Sequence, residues 1–142
     1  MTPRATGRCL CGAVRYEVRG PLRDVLVCHC EECRRFGGYL GAFSATRGEH
    51  LLVLDDTALR WAESPQSDHD ARRAFCGECG SSLFWHAKGS ERISISAGTL
   101  DRPTGLRLAA HIYTHQAGDY DELVDDGLPR DPEAGEIELR WS

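Results

Sequence analysis

The placement of its seven cysteines constrains this chain more than any other feature. They fall into three tight groups: Cys9/Cys11, Cys28/Cys30/Cys33 and Cys76/Cys79. Disulfide bonding explains such crowding poorly. The number is odd, and Cys9-Leu10-Cys11 leaves too little chain for an easy bridge. The opening Met1-Thr2-Pro3-Arg4-Ala5 lacks the apolar core of a signal peptide. The chain is therefore expected in the cytoplasm, where clustered thiols stay reduced and bind metal. Redox chemistry and ordinary buried cysteines are the alternatives. A thioredoxin-like role for Cys76-x-x-Cys79 lacks the surrounding βαβ pattern.

A tetrahedral structural zinc takes four protein ligands. Two all-cysteine sites need more thiols than the chain has, so the natural division is four plus three. Phe75-Cys76-Gly77-Glu78-Cys79-Gly80 reads as a zinc knuckle, with glycines that permit a left-handed turn around the thiolates. Cys9 and Cys11 are the remaining pair. Joining the two pairs closes a long loop and so has a structural role. The middle group then stands alone. Cys30 and Cys33 share one face of a short helix, Cys28 precedes it, and a helix N-terminus favours thiolate. Three protein ligands with an open fourth position is the catalytic pattern for zinc. A fourth protein ligand and a metal-free site are the alternatives. His29 is the obvious fourth candidate, but alternation along the chain points it away from its cysteine neighbours.

The rest of the chain reads as short strands. Val14, Tyr16 and Val18 alternate with Arg15, Glu17 and Arg19, the period-2 mark of a half-buried strand. Further strands are expected at Asp24–Val27, Tyr39–Thr46, Leu51–Leu54, Ala58–Trp61, Ile93–Ala97 and Leu106–Tyr113. Arg72–Phe75 and Ser82–His86 flank the knuckle as arms of a hairpin. A short helix is expected from Cys30 to Phe36, stopped by Gly37-Gly38. These elements predict a mainly β, antiparallel fold. The length of 142 residues suits one domain, 1–142. From Asp119 to Glu136 the chain is acidic and is expected to be irregular surface.

Taken together, the motifs resemble the glutathione-dependent formaldehyde-activating enzyme family, which includes centromere protein V. Gly7-x-Cys9-x-Cys11-Gly12-x-Val14-x-Tyr16 is similar to its opening. Cys28-His29-Cys30-x-x-Cys33-Arg34 and Phe75-Cys76-x-x-Cys79-Gly80-Ser81 are similar to its second and third motifs. Gly98-Thr99-Leu100-Asp101, His111-Ile112-Tyr113 and Asp126-Gly127-Leu128-Pro129 extend the match toward the C-terminus. The resemblance implies zinc-pinned antiparallel β-sheets of the β-tent type. It implies a structural zinc on Cys9, Cys11, Cys76 and Cys79 and a second zinc on Cys28, Cys30 and Cys33. It also implies a carbon–sulfur lyase that joins glutathione to formaldehyde as S-(hydroxymethyl)glutathione, or acts on another thiol–aldehyde adduct.

An open three-thiolate zinc suits this chemistry by positioning an incoming thiolate rather than by polarising a carbonyl, because three thiolates make the metal electron-rich. Arg34, Phe36, Tyr39 and His111 are candidate substrate-binding residues around it. Each has a simpler reading, as a solvated arginine, as core packing for Phe36 and Tyr39, and as a satisfied buried histidine for His111. The alternative function is a non-catalytic zinc-binding module that docks a partner. A net charge of −5 argues against nucleic acid as that partner. No run approaches the roughly 18 apolar residues of a membrane span.

Overall fold

The computed structural model describes residues 2–65, 69–123, 125–133 and 137–142. Its strands are β1 (Ala5–Arg8), β2 (Arg15–Val18), β3 (Val25–Cys28), β4 (Gly41–Arg47), β5 (Leu51–Asp55), β6 (Leu59–Ser64), β7 (Ala71–Cys76), β8 (Ser82–Ala87), β9 (Arg92–Ser96), β10 (Leu108–Ile112) and β11 (Arg130–Asp131). One α-helix, α1 (Glu31–Gly37), follows β3. The described strands form a three-stranded sheet in the order β1-β2-β5 and an eight-stranded sheet in the order β11-β10-β3-β4-β9-β8-β7-β6.

The β2 alternation does what its period requires. Tyr16 and Val18 are buried while Arg15 is exposed. They join Leu83 and Phe84 from β8 and Ile93 and Ile95 from β9 in one core, which places the small sheet against the β7–β9 part of the large one. Tyr16 meets Phe84 edge-on at 5.2 Å, a favourable aromatic geometry, and its hydroxyl lies 2.7 Å from Thr99 Oγ1. Cys9 and Cys76 belong to this core. A second core gathers Leu26, Cys28, Cys33, Phe43 and Ile112. Each thiol cluster is thus built into a different hydrophobic core.

The helix runs one residue later than expected. Cys30 is its N-cap, with Sγ accepting from the Cys33 amide at 3.4 Å, and Gly38 closes it in the left-handed conformation. Most pairings are antiparallel, as the short-strand reading predicts. The exception is β10, which runs parallel to both β3 and β11, so the large sheet is mixed. Strand β1 was not anticipated, because four residues with charged or small side chains carry little strand signal.

The acidic segment is less irregular than expected. It includes β11, and the chain end returns to the sheet. The Leu22 amide donates to Ser142 O and the Ser142 amide to Leu22 O, both at 2.8 Å. Ile137 and Leu139 pack on the second core. Residues 124 and 134–136 of this stretch lie outside the described residues.

Candidate metal centres and active site

The first cluster brings Cys9, Cys11, Cys76 and Cys79 together, every sulfur within 4.8 Å of the others. Two turns present them. After β1 the chain folds back at Cys9, whose amide donates to Val14 O at 3.0 Å. After β7 it turns through Gly77 to Gly80, and the Gly80 amide donates to Cys76 O at 2.8 Å. Gly80 has φ +80°, where an L side chain would be strained. Backbone amides then aim at sulfur: Val14 to Cys9 Sγ at 3.3 Å and Glu78 to Cys76 Sγ at 3.4 Å. The Leu10 amide donates to Ser81 Oγ at 2.9 Å and ties the two turns together.

The donor set fits zinc. A Zn–S bond of about 2.3 Å places two sulfurs of a tetrahedron about 3.8 Å apart. Cys9 and Cys11 sulfurs are 3.6 Å apart, and those of Cys11 and Cys76 3.8 Å. Hydrogen bonds favour the ionised form of Cys9 and Cys79 but not of Cys11, where the Ala13 amide lowers the thiol but burial and the neighbouring thiols push it up to about 12. Ser81, followed by backbone amides, brings the Cys79 thiol down to about 5. Burial raises the Cys9 thiol, but the Val14 amide and neighbouring thiols outweigh it and leave it lowered.

The second cluster brings together Cys28, Cys30 and Cys33, again with all sulfurs within 4.8 Å. Cys28 ends β3, held between Gly41 of β4 and Ile112 of β10. Cys30 caps α1 and Cys33 lies in its first turn. A Cβ at Gly41 would stand 3.2 Å from Cys33 Sγ and 2.5 Å from the Phe43 ring, so glycine is what lets this helix lie on β4. Hydrogen bonds from Cys28 and Cys33 bring the Cys30 thiol down to about 2, against its burial. The reverse interactions push the Cys28 thiol well above its ordinary range. The Cys28 hydrogen bond lowers the Cys33 thiol, but Cys30 and burial outweigh it and push it up to about 11, so the trio holds one thiolate, on Cys30, among neutral thiols. Among the described residues, no fourth His, Cys, Asp or Glu joins the group.

His29 is buried and turned away, as alternation predicts. Its Nε2 lies 3.0 Å from His111 Nδ1, and His111 Nε2 lies 2.7 Å from Asp126 Oδ2. The chain is satisfied when His111 donates to the carboxylate and accepts from His29. That hydrogen bond, first among its causes, holds the Asp126 carboxyl below its usual range. Both ring nitrogens of His111, a candidate substrate-binding residue, are thus engaged within the protein.

A cavity of about 260 Å³ lies beside Cys33, lined also by Phe36, Leu40, Phe43, Arg73 and Ser96. A second space, of about 320 Å³, lies against Phe36, Arg73, Glu32 and Glu63. Phe36 borders both spaces and packs edge-on against Phe75 at 6.1 Å. Tyr39 lines neither cavity. It is half exposed and leans on Tyr120, and donation to Asp121 raises its hydroxyl. Arg34 also lines neither, and its Nε is buried without a hydrogen-bond partner.

Sequence reading missed Arg73, which is only 6% exposed and lines both spaces. A signal was present. Two successive arginines on a strand face opposite sides, so Arg72 and Arg73 cannot both face solvent if one side of β7 is covered. Arg72 lies over the Trp61 ring at 4.6 Å, and Arg73 turns inward.

Among solved structures, a Rhodobacter sphaeroides protein known from a crystal structure is similar in fold. It is 21% identical, with a TM-score of 0.57, over 88% of this chain and 98% of that one. The sequence model of the family described as glutathione-dependent formaldehyde-activating enzyme matches residues 4–116. That span takes in all seven cysteines and both clusters, and on it the chain belongs to the glutathione-dependent formaldehyde-activating enzyme family.

Proposed function

We propose that the chain is a single zinc-pinned domain of the β-tent type, spanning residues 1–142, which joins a thiol to an aldehyde as a carbon–sulfur lyase of the S-(hydroxymethyl)glutathione synthase type. Glutathione and formaldehyde are its substrates, and the cytoplasm, where free thiols persist, is its place of action. Family membership supports the substrates. The observation that carries the reading is the second cluster, three thiols with no fourth ligand among the described residues, set against a cavity.

In this reading Cys9, Cys11, Cys76 and Cys79 hold a structural zinc, and Cys28, Cys30 and Cys33 hold the second. Zinc held by Cys28, Cys30 and Cys33 would supply the Lewis acidity that keeps a substrate thiol ionised. The chain's own residues do the rest. The Cys28–Cys30–Cys33 turn sets the three thiols together, with Cys33 on the cavity wall. Phe36 and Phe43 line it with apolar surface that excludes water, and Arg73 adds a fixed positive charge. The reaction is an addition: the thiolate sulfur bonds to the aldehyde carbon, the C=O pair becomes an alkoxide, and a proton completes the hemithioacetal. No atom is lost, and no oxidant is needed.

Exchange spectroscopy on mixed glutathione, formaldehyde and adduct tests this directly. Zinc-loaded protein should speed interconversion above the uncatalysed background. No acceleration would rule out formaldehyde as the substrate.

A further inference from the structure

Arg73 is a buried cation placed against a cluster of sulfurs. Its Nη2 donates to Cys33 Sγ at 3.5 Å, and its Nε donates to Ser64 Oγ at 3.1 Å. The Ser64 hydroxyl donates in turn to Glu32 Oε1 at 2.5 Å. Glu32 is itself 3.9 Å from Arg73 Nη2, and the guanidinium carbon lies 5.7 Å over the Phe36 ring. The guanidinium is thus fixed from three sides. Its Nη2 lies nearer the Cys33 sulfur than the Glu32 carboxylate.

Three thiolates around a divalent ion leave one excess negative charge, and a fourth thiolate would make two. Cys28 and Cys33 are buried, so bulk water screens their charge weakly. Glu31 and Glu32, in the first turn of α1, add to the negative field. Arg35 offsets Glu31 at the surface, 3.1 Å away. Arg73 is a buried guanidinium that touches one of these sulfurs, that of Cys33. A guanidinium donating to a thiolate withdraws charge from that sulfur and lowers the cost of bringing in another anion.

We propose that Arg73 is a positioning residue that sets the charge of the Cys28/Cys30/Cys33 centre, so that the centre accepts an incoming thiolate as a fourth, anionic ligand. This rests on the reading that the cluster holds a divalent metal. It assigns Arg73 to the sulfur of any thiol substrate, not to a substrate carboxylate.

Cobalt-loaded protein tests it, because thiolate-to-cobalt absorption reports thiol uptake without turnover. The probes are 2-mercaptoethanol, whose only anion is its sulfur, and 3-mercaptopropionate, which adds a carboxylate. Arg73→Met should weaken 2-mercaptoethanol binding roughly tenfold or more while two cobalt ions remain bound. Arg73→Lys should recover part of that loss. Glu32→Gln leaves the guanidinium in place and removes the opposing charge, so it should tighten binding roughly two- to threefold. If Arg73→Met fails to fold, the lysine and glutamine variants decide the matter. Unchanged 2-mercaptoethanol binding across the folded variants would overturn the proposal. So would a loss confined to 3-mercaptopropionate, which would make Arg73 a carboxylate anchor. Uptake of only one cobalt by the wild-type chain would remove the metal reading, and this proposal with it.

Discussion

At the scale of single residues, the seven cysteines differ in what their loss should do. Cys76 is fully buried in the first core and faces Cys11 across 3.8 Å. Its removal takes one of the four thiols from the cluster and leaves a void in the first core. Structural zinc carries on the order of 10 kcal/mol of apparent free energy, comparable to the whole stability of a domain. Cys76→Ala should therefore give largely unfolded or insoluble protein. A cooperative thermal melt near that of wild type, followed by circular dichroism, would show that this pair does not pin the fold. The cysteines were legible because ligand spacing is local. So was the direction of His29, which follows from strand alternation. The partners of His111 were not. Asp126 lies 15 residues on, and nothing local reveals that a turn brings it back. Arg73 was legible in principle, from the arginine pair on β7, but not its contact with Cys33, which lies 40 residues away.

Among elements, β3 carries the most, because it ends in Cys28 and pairs with β4 and β10. Its entry is tied to the chain end by Asp24. Arg140 donates to the two Asp24 carboxylate oxygens at 2.9 and 3.1 Å, and the Arg107 amide adds a bond at 3.2 Å. The Arg140 hydrogen bonds, above all, hold the Asp24 carboxyl below its usual 3.8. A carboxyl lowered in the folded state stabilises it above the unfolded value and stops doing so as pH falls through the folded value. The contribution should thus be full from about pH 5 upward and fade on acidification below 3.8. Asp24→Asn should cost on the order of 1 kcal/mol near neutral pH, kept small because Arg140 is half exposed. Its deficit relative to wild type should shrink in acid, as thermal melts across pH would report; a deficit independent of pH would contradict the ion-pair account. Most strand positions were legible, that of β2 from alternation, and α1 from its glycine stop. The parallel run of β10 beside β3 was not. Its Leu108–Val25 pairing spans most of the chain, and local pattern says nothing about strand direction.

At the scale of the molecule, the described residues form two cores, each holding one thiol cluster. This arrangement predicts that the metals leave separately. Exposure does not decide the order, because Cys11 is exposed while Cys28 and Cys33 are buried. Ligand number does: three thiolates hold zinc less firmly than four. Chelator titration should remove about one zinc with the fold intact and the other only as the sheets come apart. Simultaneous loss of both, with unfolding, would contradict a two-site molecule.

The most direct test of the central claim, that the three-thiolate centre does the chemistry while the four-thiolate centre holds the fold, is the catalysed exchange rate of Cys30→Ser beside wild type. Serine keeps the helix N-cap that Cys30 provides, and the first cluster is untouched. Serine binds zinc poorly where thiolate binds it well. The variant should stay folded and exchange glutathione and formaldehyde at no more than the background rate, while wild type exceeds it. Exchange by folded Cys30→Ser at the wild-type rate would contradict the account.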